Sequence, residues 1–123
     1  MDFTHLERTV LAWIAARASS PELRAQLLAV TPIAREHTGV GSYTELSVPS
    51  QCARVPASSM PAGRSRGPVS GPNLEDPMIE NCGGSLLWLE EGIVSCLEMF
   101  ACGSRFPEDA PNAVLLDPSG EPG

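Results

Sequence analysis

Residues 83–103, GGSLLWLEEGIVSCLEMFACG, form the densest apolar stretch of the chain and constrain its fold more than any other feature. Two apolar runs, residues 86–89 and 93–100, flank Glu90-Glu91-Gly92, where the glycine can adopt the positive φ that a tight hairpin turn requires. The stretch therefore predicts a β-hairpin with Glu91 and Gly92 as its two-residue loop.

The loop length also predicts which residues of the hairpin face each other. The expected cross-strand pairs are Glu90 with Ile93, Leu89 with Val94, Trp88 with Ser95, Leu87 with Cys96, Leu86 with Leu97, and Ser85 with Glu98. Because paired residues share a face, both faces would be largely apolar and both would need cover, helices on one side and another chain or a long loop on the other. Glu-Gly is a weaker turn signal than Asn-Gly, so a slip in this register stays open.

Two helices are predicted ahead of the hairpin. Thr4 and Glu7 have the spacing of a capping box, so the first helix should begin there. Ser20 fits the N-cap of the second helix and Pro21 its first turn, while Pro32 discourages continuation. The packing stripe expected on the first helix is Leu6, Val10, Trp13, Ile14 and Arg17, with the indole interpreted as a core side chain rather than a ligand-stacking one.

The spacing of apolar residues changes from helical to alternating after the two predicted helices. Residues 40–48 alternate and predict a strand that Pro49 ends. Residues 49–82 are rich in Pro, Gly and Ser and predict a long loop, either a mobile insertion or a partner-binding segment, with at most a short strand at 52–55. Residues 113–116 suit a last strand, and residues 117–123 a disordered tail. The expected fold is a single α+β domain, residues 1–116, with two N-terminal helices packed on a small antiparallel β-sheet of three to five strands.

The charge of the chain limits its partners. The chain has fifteen acidic residues and eight basic ones, all of them arginine, so its formal net charge is -7. An acidic surface argues against nucleic acid and anionic membranes as partners and suits a protein with a basic surface. The absence of lysine, with abundant Ala, Gly, Pro and Arg, indicates coding bias and hence a bacterial source. We expect a monomer or homodimer.

The cysteines and histidines give no ligand pattern for a metal. Cys52, Cys82, Cys96 and Cys102 form no C-x-x-C pair, and both histidines lie far from them in sequence. The even count also permits disulfides, but nothing upstream resembles a secretory signal, so reduced cysteines in a cytoplasmic protein are the expectation. We expect neither metal nor cofactor.

Two patterns together resemble a known group of proteins. Residues 35–49, REHTGVGSYTELSVP, and residues 83–107, GGSLLWLEEGIVSCLEMFACGSRFP, resemble small bacterial proteins with a T-G-x-G-x-[FY]-T strand and an L-E-x-[FY]-x-x-G-x-x-[WF]-P hairpin. The resemblance implies an α+β fold and a bacterial, cytoplasmic setting. That group has no settled activity, so the resemblance implies none for this chain.

His37, Tyr43, Glu98 and Arg105 are the candidate binding residues, because they are polar side chains within otherwise ordered segments. Glu98 interrupts an apolar strand and, if buried, needs a donor, for which His37 and Arg105 are candidates. The alternatives are a structural ion pair between Glu98 and Arg105, or an outward-pointing carboxylate.

No catalytic residue is assigned, since the chain lacks a G-x-S-x-G elbow and a phosphate-binding loop. Size, charge and the lack of catalytic motifs favour a protein-binding module of the immunity or inhibitor type over an enzyme. The alternative is a small enzyme or ligand-binding protein with a pocket near His37, Tyr43 and Glu98.

Overall fold

The computed structural model describes residues 1–60, 67–103 and 105–118. It contains α1 (His5–Arg17), α2 (Pro21–Ala29), β1 (Thr31–His37), β2 (Gly41–Ser47), a 3-10 turn (Ala57–Ser59), β3 (Gly67–Ser70), β4 (Asn73–Asp76), β5 (Ile79–Glu90), β6 (Ile93–Ala101) and β7 (Val114–Leu116). The strands form one antiparallel sheet in the order β1-β2-β6-β5-β4-β7, with β3 also paired to β5. The α+β fold with two N-terminal helices and an antiparallel sheet is thereby confirmed. No helix within the described residues is long and apolar enough to cross a membrane.

Both helices begin where their capping residues predict. Thr4 accepts a hydrogen bond from the Glu7 backbone N–H, and the Glu7 carboxylate accepts one from the Thr4 N–H, which completes the capping box of α1. The Asp109 carboxylate also accepts from the first-turn N–H groups of His5 and Leu6. At α2, Ser20 accepts from the Leu23 N–H. Side chains of the cap residues, together with the sequence-distant Asp109, thus satisfy N–H groups that each helix itself leaves unpaired.

The sheet is larger than predicted. The expected strand at residues 40–48 is β2, but it pairs with an additional strand, β1, through a turn at 38–40. Within residues 49–82, where a loop was expected, the chain forms β3, β4 and the start of β5, whereas residues 52–55 form no strand. The sheet supplies the pairing that these short segments lack locally. Residues 61–66 of the expected loop, and 119–123 of the expected tail, lie outside the described residues.

The central hairpin, β5–β6, has the predicted turn but a different register. Glu91 and Gly92 have φ values of 52° and 78°, the positive values of a type I′ turn. Glu90 pairs with Ile93 and Leu89 with Val94 as expected. Beyond these pairs the predicted register is wrong, because a bulge leaves Ser95 unpaired. The observed pairs are Trp88 with Cys96, Leu87 with Leu97, Leu86 with Glu98, and Ser85 with Met99.

The bulge separates apolar from polar residues of the hairpin. It places Leu97 and Met99 on the same face as Leu87 and Leu89, where all four are at most 3 % exposed. Glu98 and Cys96 move to the other face with Leu86 and Trp88. Because side chains alternate along a strand, one inserted residue is enough to exchange the faces. The helices pack on the face that carries the four apolar side chains.

The expectation of four reduced cysteines is wrong for one pair. Cys82 and Cys102 form a disulfide between the open ends of β5 and β6, with 5.5 Å between their Cα atoms. The Cys102 N–H also donates to the Cys82 carbonyl at 2.9 Å. Hairpin pairing brings these two residues together although they are 20 positions apart in sequence. Cys52 and Cys96 are free.

Candidate functional site

The side of the sheet turned away from the helices retains solvent exposure at its aromatic and acidic side chains. We call this surface the open face; its residues are Glu36, Tyr43, Glu45, Leu86, Trp88, Cys96, Glu98 and Phe100. Each is half-buried or exposed, whereas the alternating positions Ser42, Thr44, Leu87 and Leu97 are buried. The helix side chains that reach the sheet contact this second, buried set.

Glu98 lies near the centre of the open face, on β6 between β2 and β5. The Trp88 Nε1–H donates to its Oε1 at 3.0 Å, and the Tyr43 hydroxyl donates to its Oε2 at 3.3 Å. Cross-strand pairing of Tyr43 with Glu98 on adjacent strands produces this arrangement. The carboxylate is thus held between two aromatic side chains, and it keeps lone pairs free for a further donor.

Glu98 also influences the two titratable side chains beside it. Its negative charge, together with desolvation and the hydrogen bond, raises the pKa of Tyr43. Burial, followed by the charge of Glu98, raises the pKa of the Cys96 thiol. Both groups are therefore protonated at neutral pH, so the phenol acts as a donor and the thiol lacks the depressed pKa of a reactive nucleophile.

The structure brings together two of the four candidate binding residues. Tyr43 and Glu98 are in contact on the open face. His37 pairs with Ser42 and therefore lies on the opposite face of the sheet. Arg105 is exposed in the segment after β6 and forms no ion pair with Glu98. The donors to Glu98 are Trp88 and Tyr43 rather than the expected His37 or Arg105.

His37 lies on the other face of the sheet from Tyr43 and Glu98, so the three side chains do not line one pocket on the open face. The groove beside Tyr43 has a volume of about 170 Å³ and is lined by Ala34, Arg35, Glu36, Tyr43 and Glu45. The described residues also contain no group of three His, Cys, Asp or Glu side chains placed to hold a metal ion. The geometry near Tyr43 therefore suits surface contact better than enclosure of a small molecule.

The helix-covered face carries a polar network that the sequence did not predict. Arg35 Nε and Nη2 donate to the two carboxylate oxygens of Glu7 at 2.8 and 2.5 Å, and the Thr44 hydroxyl donates to the same carboxylate at 2.5 Å. Burial raises the pKa of Glu7, but the hydrogen bonds from Arg35, Thr44 and the Thr4 backbone outweigh burial and lower the pKa overall. This network joins α1 to β1 and β2. The sequence predicted only the role of Glu7 in the capping box.

Gln26 is a second residue whose role only the structure shows. Its side chain is fully buried, and its Nε2 donates to the Ala53 and Gly92 carbonyls at 2.8 and 2.9 Å. Its Oε1 accepts from the Val94 N–H at 2.9 Å. One amide therefore attaches α2 and the segment after β2 to the turn of the central hairpin. In the sequence, the position of Gln26 between the apolar residues Leu23 and Leu27 was the one indication that its side chain is buried and hydrogen-bonded.

Comparisons with known proteins add no assignment to this geometry. No protein-family model, no curated protein and no solved structure matches the chain. The resemblance to small bacterial α+β proteins therefore stays a prediction from the two sequence patterns.

Proposed function

We propose that the protein binds another protein with a basic surface through the open face. The observation that carries this proposal is the Glu98 carboxylate held between Tyr43 and Trp88, with Glu36 and Glu45 on the neighbouring strands. Among the described strand residues that form this face there is no arginine, so its local charge has the same sign as the net charge of -7.

The chemistry of the open face fits an arginine of the partner. A guanidinium can donate to a carboxylate and at the same time stack on an aromatic ring. Tyr43 is 42 % exposed, and Trp88 and Phe100 are half-buried, so both kinds of contact are accessible. Tyr, Trp and Arg are also the residues that contribute most to binding at protein interfaces.

The biological setting is part of the proposal. An immunity or inhibitor protein, which neutralises a basic protein by covering its surface, would use an acidic, aromatic face of this kind. We propose a bacterial cytoplasmic protein of this type rather than an enzyme. The disulfide between Cys82 and Cys102 opposes cytoplasmic residence, because thiol systems there keep most cysteines reduced. Cytoplasmic residence therefore requires a fold that survives reduction of this bond.

Parallel affinity capture tests the proposed face. Wild-type protein, Glu45→Arg and Glu108→Arg are used as baits in extracts of the cells that produce the protein. Glu45 lies on the open face, whereas Glu108 is exposed in the segment between β6 and β7, so the two variants carry the same change of charge at different surfaces. We expect a basic protein that wild type and Glu108→Arg both retain and that Glu45→Arg loses.

Two outcomes would contradict the proposal. Equal capture by Glu45→Arg and wild type would place the contact elsewhere on the protein. A measured turnover that Glu98→Ala or His37→Ala abolishes, while the melting temperature holds steady, would favour the enzyme alternative instead.

A further inference from the structure

A cavity lies on the helix side of the sheet, away from the open face. It has a volume of about 430 Å³ and lies between the C-terminal end of α1, the start of α2, the 3-10 turn and β3. Cavities of about 300–1,000 Å³ are the size that small-molecule sites occupy. None of the residues that line this cavity belongs to the open face.

The lining of this cavity combines apolar and polar side chains. Its apolar side chains include Trp13, Leu23, Met60 and Val69. Ser58 and Ser59 provide hydroxyl groups, and both residues are exposed at the rim. This combination matches a ligand with an apolar body and a polar end.

Among the described residues of the lining, Arg17 alone is charged. Its guanidinium carbon lies 3.9 Å from the centroid of the Trp13 ring, and its Nη1 donates to the Trp13 carbonyl at 3.4 Å. Arg17 forms no ion pair with any residue that the structure describes. The nearby acid Glu22 accepts from the Ser20 hydroxyl and is not part of the lining. The indole therefore positions a positive charge whose remaining N–H donors are available to an anion.

We propose that this cavity binds a small organic anion with an apolar body, such as an aromatic or medium-chain carboxylate, whose charged group contacts Arg17. The net charge of the chain is -7 and opposes such a ligand at long range. Salt screens that repulsion beyond about 8 Å at physiological ionic strength, so the contact with Arg17 decides the binding. The proposal does not depend on the function proposed for the open face.

Binding of 8-anilino-1-naphthalenesulfonate, an aromatic anion that fluoresces in apolar sites, provides the test. The Trp88→Phe variant leaves Trp13 as the only tryptophan, so energy transfer from Trp13 to the probe reports on this cavity. We expect saturable binding of one probe per chain. Octanoate should displace the probe at lower concentration than octanol, because only octanoate carries the charge.

Two matched substitutions locate the site. Arg17→Gln should weaken binding about tenfold or more, the value of a charge-assisted hydrogen bond. Arg8→Gln on the same helix should change it by no more than about twofold, as expected for a remote exposed charge. Ser59→Phe, at an exposed position of the rim, should block the cavity and abolish binding while the melting temperature stays unchanged, and it adds no second tryptophan.

Three results would overturn the proposal. The first is no saturable binding to the folded wild-type protein. The second is an equal effect of Arg8→Gln, because Arg8 lines a second cavity of about 240 Å³ on the other side of α1. The third is binding that Arg17→Gln and Ser59→Phe both leave intact, which would assign the probe to another apolar surface such as the open face.

Discussion

Glu7, on α1, contacts the helix-covered face of the sheet, whereas Glu98 lies on the open face, and their surroundings give them different roles. Glu7 is fully buried, and Arg35, Thr44 and the Thr4 backbone supply its donors. A buried carboxylate without such donors would cost several kcal/mol. Glu98 receives two hydrogen bonds from the described residues, those of Tyr43 and Trp88, and remains in contact with solvent. The first carboxylate therefore stabilises the fold, while the second is available to a partner.

The lowered pKa of Glu7 makes the stability of the protein depend on pH. A carboxyl group whose folded-state pKa lies below its unfolded value of about 4.3 stabilises the fold above that pH and loses this contribution as the pH falls through the folded-state pKa. Glu7→Gln should lower the free energy of unfolding at pH 7 by about 2–3 kcal/mol, since Arg35 loses its ion-pair partner. It should also flatten the fall in stability below about pH 4.3.

Thermal unfolding between pH 3 and pH 7 measures both effects. Glu45→Gln, at an exposed position, is the control and should reproduce the wild-type profile. A Glu7→Gln profile that stays parallel to wild type throughout would show that another carboxyl group controls the acid transition.

At the scale of the elements, the bulge at Ser95 decides what the central hairpin presents to each side. Without it, Leu97 and Met99 would share a face with Trp88, and Glu98 would lie beneath the helices with Leu87. Burial of the Leu97 and Met99 side chains beneath the helices stabilises the hairpin by more than the bulge costs in disrupted ladder hydrogen bonds. This one inserted residue therefore places Cys96 and Glu98 on the open face.

Alanine substitutions at neighbouring positions of β6 test the observed register. Leu97 is 0 % exposed, so Leu97→Ala should lower the free energy of unfolding by about 2–5 kcal/mol. Cys96→Ala, on the open face, should cost about 1 kcal/mol or less, as is usual for surface positions. Urea unfolding measures both values. A greater loss for Cys96→Ala than for Leu97→Ala would support the register without a bulge.

The disulfide at the open end of the same hairpin should stabilise the fold without being required for it. The ladder between β5 and β6 continues from Gly83–Ala101 to the turn, so the hairpin keeps its pairing when the bond is reduced. By the chain-entropy estimate, a closed loop of this size contributes about 3 kcal/mol. Replacement of both Cys82 and Cys102 by alanine should therefore lower the melting temperature but leave the far-UV circular dichroism spectrum unchanged. Loss of that spectrum would show that the fold requires the bond and would oppose cytoplasmic residence.

At the scale of the whole molecule, some acidic residues accept structural hydrogen bonds and others only contribute surface charge. Composition does not distinguish the two kinds. Glu75, Asp76, Glu108 and Asp109 all read as exposed acids in the sequence. In the structure Asp109 caps the first turn of α1, and Asp76 accepts from the Met78 N–H in the β4–β5 turn. Reversal of charge at Asp109 would therefore disturb the helix as well as the surface field.

The net charge predicts how a partner associates. Electrostatic attraction raises the association rate and is screened by salt, so association with a basic partner should slow as salt concentration rises. Glu45→Arg should lower the association rate constant by a larger factor than it changes the dissociation rate constant. Glu108→Arg should lower the association rate constant less than Glu45→Arg does. Surface plasmon resonance at several salt concentrations measures these rates. An association rate that is independent of salt would show that charge does not guide the encounter.

The sequence by itself determined the features that depend on residues a few positions apart. The helix starts follow from Thr4 with Glu7 and from Ser20 with Pro21, and the hairpin turn follows from Glu91-Gly92, because each of these signals acts within one turn of chain. Tertiary structure decided what depends on distant partners: the Glu7–Arg35 pair, the bulge at Ser95 and the Cys82–Cys102 bond. The same applies to Glu98, whose donors lie on neighbouring strands. Each of these features depends on which surfaces become buried together, and that is decided by the packing of the whole chain.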